Sequence, residues 1–165
     1  YKEAGERGFR LTAHAGEAAG SKSIWTVIEK LGVERIGHGV RANEDPQLIS
    51  LLKQKQIPLE ICVISNVRTW VCDSIEAHPI GQYFKQGLMV TVNSDDPVMF
   101  NTTISQEYLV LVEKLGFTIN DLKRLSMNGI KASFMSDNDK KLMEDQFEKE
   151  WKQLTRRLKM LLFLS

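Results

Sequence analysis

Asp95 and Asp96 are two adjacent carboxylates at the end of a strand-like run, 88–97. Side by side, each disfavours ionisation of the other. Two like charges placed directly after a buried β run therefore gain little as a solvent-facing turn, and a nearby cation would remove the conflict. His14 and His38 close two earlier apolar runs in the same way. Imidazole nitrogen and carboxylate oxygen suit zinc, and a carboxylate outside the ligand set is left to move protons. The pattern is that of a metal-assisted hydrolase.

In His14-Ala-Gly-Glu17 the small Ala15 and Gly16 let backbone approach a ligand closely, so His14 and Glu17 can face one cavity. The plainer reading makes Glu17 a helix cap beside a hydrogen-bonded His14. His38 lies between Gly37 and Gly39 and is screened by little side-chain bulk. Either histidine alone reads as structural, whereas both at equivalent strand ends favour a site. His78, before Pro79 at a helix start, reads as an ordinary surface residue, and Trp70 as core, rim or the mouth of a site. There is no Gly-rich phosphate loop and no Gly-x-Ser-x-Gly elbow.

These residues need elements to position them. The run 9–14 alternates like a short strand, and a helix from about Ser23 follows, with Ile24, Val27, Ile28 and Leu31 on one face and Gly32 as its stop. A second strand, 33–38, is followed by a helix that starts at Asp45-Pro46 and buries Leu48, Ile49, Leu51 and Leu52. A third strand is expected over 59–64, with a helix opening at His78-Pro79 and closing at Gly87, and a fourth over 88–93. His14, His38, Asn66 and Asp95 mark the strand ends at spacings of 24, 28 and 29 residues. Each interval suits one strand, one helix and two loops, so a parallel sheet is the economical reading.

Helices follow over 105–115, over 120–134 behind the capping box Thr118-x-x-Asp121, and through Trp151. The last carries Phe147, Trp151, Leu154, Leu158 and Leu161, a stripe for packing against a body or for an oligomer contact. The fold class is thus α/β. Four βα units make the chain the carboxy-terminal half of a (β/α)8 TIM-type barrel plus carboxy-terminal helices, a single-domain fragment over 1–165; a small, open, doubly wound sheet is the fallback. In either fold, ligands sit at the strand carboxyl ends. His14 with Glu17, His38, Ser65 with Asn66, and Asp95 with Asp96 all fall there in register.

With 22 Lys plus Arg against 21 Asp plus Glu, the net charge of +1 supplies no field for nucleic acid or an anionic membrane. A small or neutral partner is expected. Cys62 and Cys72 stand ten apart and match no zinc knuckle, so both read as reduced thiols. No signal pattern opens the sequence, and the apolar stretch 160–164 is too short to span a bilayer. The expected location is cytoplasmic.

Four phrases, Leu11-Thr-Ala-His-Ala-Gly-Glu17, Arg35-Ile-Gly-His-Gly39, Leu59-Glu-Ile-Cys62 with Ser65-Asn66, and Val92-Asn-Ser-Asp-Asp-Pro97, together resemble the adenosine deaminase family in order and spacing. The resemblance implies a zinc-dependent (β/α)8 barrel that hydrolyses the 6-amino group of an adenine compound. It makes His14 and Asp95 metal ligands for Zn2+, Glu17 the proton donor to the purine ring, and His38 the residue that orients the attacking oxygen. Asp96 would bind the substrate through another ring nitrogen. The partner implied is a purine nucleoside or base, with adenosine, adenine and aminodeoxyfutalosine as candidates.

The family's first strand also supplies a His-x-His pair to the metal, and no such pair occurs here. The isolated segment is therefore expected to be inactive, with open sheet edges that pair with the missing half or with another copy. Two alternatives stay open: a non-catalytic remnant that binds a purine or a partner, and another metal-dependent amidohydrolase.

Overall fold

Four short strands, β1 (Thr12–Ala15), β2 (Arg35–His38), β3 (Leu59–Ile61) and β4 (Val90–Val92), form one parallel sheet in the order β1-β2-β3-β4. The computed structural model describes residues 1–163, with side chains through residue 158. Two compact units divide the chain, Tyr1–Ala132 and Ser133–Ser165. The first begins with α1 (Lys2–Glu6) and carries the sheet; α2 (Ser21–Glu29), α3 (Pro46–Lys55), and the pair α4 (Val63–Arg68) and α5 (Ile80–Gln86) connect successive strands. Parallel neighbours require such crossovers. α6 (Ile104–Leu115) and α7 (Ile119–Ala132) complete this unit.

The register pairs His14 with Gly37, Gly37 with Glu60, and Glu60 with Thr91. Side chains alternate along a strand, so these residues share one, largely polar, face. The opposite face supplies Ile36, Leu59, Ile61 and Val90 to the core, where Ile24 of α2, Leu48 and Leu52 of α3 and Ile80 of α5 are also fully buried. Burial of each such side chain contributes about 1.5–3 kcal/mol. One wall of the sheet thus carries the stability and the other is left for chemistry.

Local signals explain most of the boundaries. Asp45 Oδ1 accepts from the Gln47 and Leu48 amides at 2.8 and 3.4 Å, and its Oδ2 accepts from the Trp25 indole at 2.8 Å, tying the start of α3 to α2. The Thr118/Asp121 box closes reciprocally at the start of α7. Tyr83, fully buried on α5, donates to Val40 O at 2.6 Å and accepts from Asn43 N at 2.8 Å. It thereby anchors a 3-10 turn, Val40–Glu44, that the sequence pattern does not announce.

The expected third strand is too long. It ends at Ile61, and α4 begins at Val63, with the Asn66 amide donating to Cys62 O at 2.9 Å. A short apolar run such as Ile-Cys-Val-Ile fits either period, and only the buried polar Ser65 and Asn66 mark it as helix. The fourth strand is likewise shorter than its apolar run. In the second unit, α8 (Asp137–Phe163) opens on a Ser136/Asp139 cap, and Phe147 and Trp151 stack one turn apart at 5.7 Å. Leu161 and the stretch 160–164 lie outside the described side chains. Among the described residues, no helix is long and apolar enough to cross a membrane.

Candidate active site

The carboxyl ends of the strands open into a cleft of about 550 Å³ lined by His14, Gly37, His38, Glu60, Cys62 and Asp95, among others. The His14 and His38 rings meet edge to face, with centroids 4.7 Å apart. Their approach depends on Gly37, because a Cβ there would lie 2.3 Å from His14 Cδ2. Gly37→Ala is therefore expected to displace the His14 ring, lowering metal affinity at least tenfold with little change in overall fold. Metal titration followed by circular dichroism checks both halves of that statement.

Two of the residues sit on strained backbone. His38 has φ 65° and Asp95 φ 58°, both in the left-handed region that non-glycine residues rarely occupy. Such conformations cost on the order of 1–3 kcal/mol and persist where the surroundings hold them. At Asp95 the hold is Ser65, whose Oγ donates to Oδ2 at 2.6 Å. At His38 it is the Ala15 carbonyl, which accepts from Gly39 N at 2.9 Å, and Asn66, whose Nδ2 lies 3.0 Å from His38 Nδ1.

His38 is buried, with Nε2 3.5 Å from Glu17 Oε2. Burial holds its imidazole below the ordinary range; the Glu17 carboxylate pulls it upward and His14 downward again. Cys62 is also buried and its thiol is pushed strongly upward, first by burial and then by the charges of Asp95 and Glu107.

The donor atoms of His14, Glu17 and His38 lie within 4.8 Å of one another, as do those of His38, Cys62 and Asp95. Nitrogen and carboxylate oxygen from separate strand ends match the chemistry of zinc. His14 falls in the first of these groups and Asp95 in the second, with His38 common to both. His38 has Nδ1 committed to Asn66, leaving Nε2 toward Glu17.

The structure brings His14, Glu17, His38 and Asp95 together. Asp96 is exposed beside them, and its Oδ1 accepts from Met99 N at 2.8 Å at the start of the following loop. Trp70 is 84% exposed and does not line the cleft. His78 overturns the expectation of a surface residue, being 4% exposed and bonded to Asn66 and to Ile80 N. Pro79 starts no exposed turn here. It places α5 so that His78 is folded under α4.

Burial also lowers the His78 pKa to about 4. The unfolded chain takes up this proton near pH 6.5 and the folded chain near pH 4, so the unfolded state binds more protons between those values. Stability is accordingly expected to be full above about pH 6.5 and to fall by about 3 kcal/mol on approaching pH 4. Urea denaturation across this window, compared with His78→Gln, checks it, since the variant should lose most of the slope.

Glu107 went unread in the sequence. It is fully buried on α6, where Oε2 accepts from Ile64 N at 3.2 Å and Oε1 from Thr102 Oγ1 at 3.4 Å. Its carboxylate is raised by burial. By seating the start of α4, it positions Ser65 and Asn66. The signal was a carboxylate one turn before the buried Leu111, on the apolar face of an amphipathic helix.

Fold and site together define an α/β unit whose histidines and carboxylates gather at the carboxyl ends of parallel strands. The adenosine deaminase family model matches residues 1–150, and the chain belongs to that family. It is 40% identical over 146 residues to an adenosine deaminase of Serratia proteamaculans, covering 88% of this chain and 44% of that protein. Among solved structures, an adenine deaminase from Arthrobacter aurescens superimposes with a TM-score of 0.89 at 38% identity, over 92% of this chain and 46% of that one. An amidohydrolase from Burkholderia ambifaria, solved with bound Zn, gives 0.87 at 29% identity, over 96% and 44%. The chain thus spans less than half the length of these relatives, and its four strands match the carboxy-terminal half of the TIM barrel in the deaminase neighbours.

Proposed function

We propose that the protein to which these 165 residues belong hydrolyses the 6-amino group of adenosine or a related adenine compound, giving the 6-oxopurine and ammonia. The observation that carries this reading is that His14, His38 and Asp95 line one cleft, with Glu17 Oε2 3.5 Å from His38 Nε2, in a chain of the adenosine deaminase family. The cofactor proposed is one Zn2+. His14 and Asp95 would hold it together with ligands from outside this sequence, and when bound it lowers the pKa of its water to about 7. The remaining work falls to the side chains.

Glu17 gives a proton to a ring nitrogen, making the amino-bearing carbon electrophilic, and is placed to take it back from water for the departing amine. His38 Nε2 donates a hydrogen bond to the incoming oxygen, stabilising the charge that collects there as the carbon becomes tetrahedral. Asp96 uses the oxygen not bonded to Met99 N to hold a second ring nitrogen and fix the base. The water oxygen ends on the carbon, the carbon–nitrogen bond breaks, and no net oxidation occurs. The cleft of about 550 Å³ falls within the usual range for small-ligand sites.

The proposed partner is a purine nucleoside or base, with the other barrel half, or a second copy, covering the open sheet edges. The substrate panel is adenosine, adenine and aminodeoxyfutalosine, each followed by its ultraviolet change on deamination with the full-length protein. Conversion of at least one supports the reading. Stoichiometric purine binding without ammonia release would identify a non-catalytic binder instead.

A further inference from the structure

His78 and Asn66 belong to no part of the proposed chemistry, yet both are buried, at 4% and 0% exposure. Their hydrogen bonds form a line whose direction is fixed at one end. The Ile80 backbone N–H donates to His78 Nδ1 at 3.1 Å, so that nitrogen is an acceptor. Burial keeps the ring neutral, and its single proton is then on Nε2, which faces Asn66 Oδ1 at 3.2 Å. That sets the amide. Asn66 Nδ2 donates to His38 Nδ1 at 3.0 Å, and a proton on Nδ1 would set N–H against N–H.

We propose that Asn66 and His78 are positioning residues that lock His38 as its Nε2–H tautomer, aiming a hydrogen-bond donor into the cleft. The proton then lies on the nitrogen 3.5 Å from Glu17 Oε2, at the position from which an attacking oxygen would be bonded. A ring free to exchange tautomers would present a lone pair there part of the time, and a lone pair repels a developing oxyanion. Outer groups that hold a site imidazole in this way are a general device, and their loss costs about 10- to 100-fold. The role of the donor rests on the deaminase reading, but the tautomer does not.

Two substitutions at one position separate the relay from a purely structural cap on α5. In His78→Asn the amide oxygen can replace Nδ1 and accept from Ile80 N, but nothing reaches Asn66. In His78→Gln the amide nitrogen can replace Nε2 and donate to Asn66 Oδ1, while Ile80 N loses its acceptor. In the full-length protein His78→Asn is expected to lower kcat about 10- to 100-fold with KM within about threefold, and His78→Gln to recover most of it. Histidine-selective nitrogen-15 NMR should show His38 protonated at Nε2 in the parent and in His78→Gln, and a tautomer mixture in His78→Asn.

Full activity in His78→Asn with loss in His78→Gln would overturn the relay, as would an Nδ1-protonated His38 in the parent. Should His78→Asn fail to fold, the parent spectrum alone decides. A parent inactive on every adenine substrate would overturn the deaminase reading while leaving the tautomer result standing.

Discussion

Replacing Glu17 with Gln is expected to lower kcat about a thousandfold, within the range for a lost general acid, with bound metal unchanged. Gln is nearly isosteric with Glu and keeps an oxygen where Glu17 Oε2 lies 3.5 Å from His38 Nε2 in the parent, so the geometry around His38 should survive. What is removed is the transferable proton. Without it the purine ring nitrogen stays unprotonated, the amino-bearing carbon stays electron-rich, and the barrier rises by about 4 kcal/mol. Steady-state kinetics beside elemental analysis of the same preparation would show it. A variant that kept most of its rate would reject Glu17 as the proton donor, and one that lost its metal would place Glu17 among the ligands.

Asp95→Ala should fail differently, through the metal. Its carboxylate is one of two ligands proposed from this chain, its backbone is held at φ 58°, and Ser65 fixes the orientation of Oδ2. Removing it leaves His14 as the remaining ligand from these residues, so metal content is expected to fall from about one per chain to near zero, with turnover falling in step. Ser65→Ala, which keeps the ligand and loses the hydrogen bond, should weaken metal about 10- to 100-fold. Equal metal content in Asp95→Ala and the parent would reject the ligand assignment.

The parallel βα order, the strands that end near His14 and His38, and the nearness of His14, Glu17 and His38 were legible because each rests on local pattern. Asp45-Pro46, Thr118/Asp121, Gly87 and Gly116 punctuate the helices through hydrogen bonds a few residues away. What escaped depends on distant contacts. His78 looks like a polar residue before a proline until Asn66, twelve residues earlier, is folded against it. Glu107 is one carboxylate on a helix until its partner Ile64 N, 43 residues away, is in place. The break at Ile61 escaped because periodicity cannot tell a short buried strand from a short buried helix. Burial of polar groups, which single-sequence patterns report poorly, accounts for all three.

The most direct test is the rate of adenosine conversion by the full-length protein before chelation, after metal removal and after one equivalent of zinc is returned. Conversion to the 6-oxopurine that vanishes on chelation and returns with zinc is the predicted result. An undiminished rate in the metal-free protein would contradict the account.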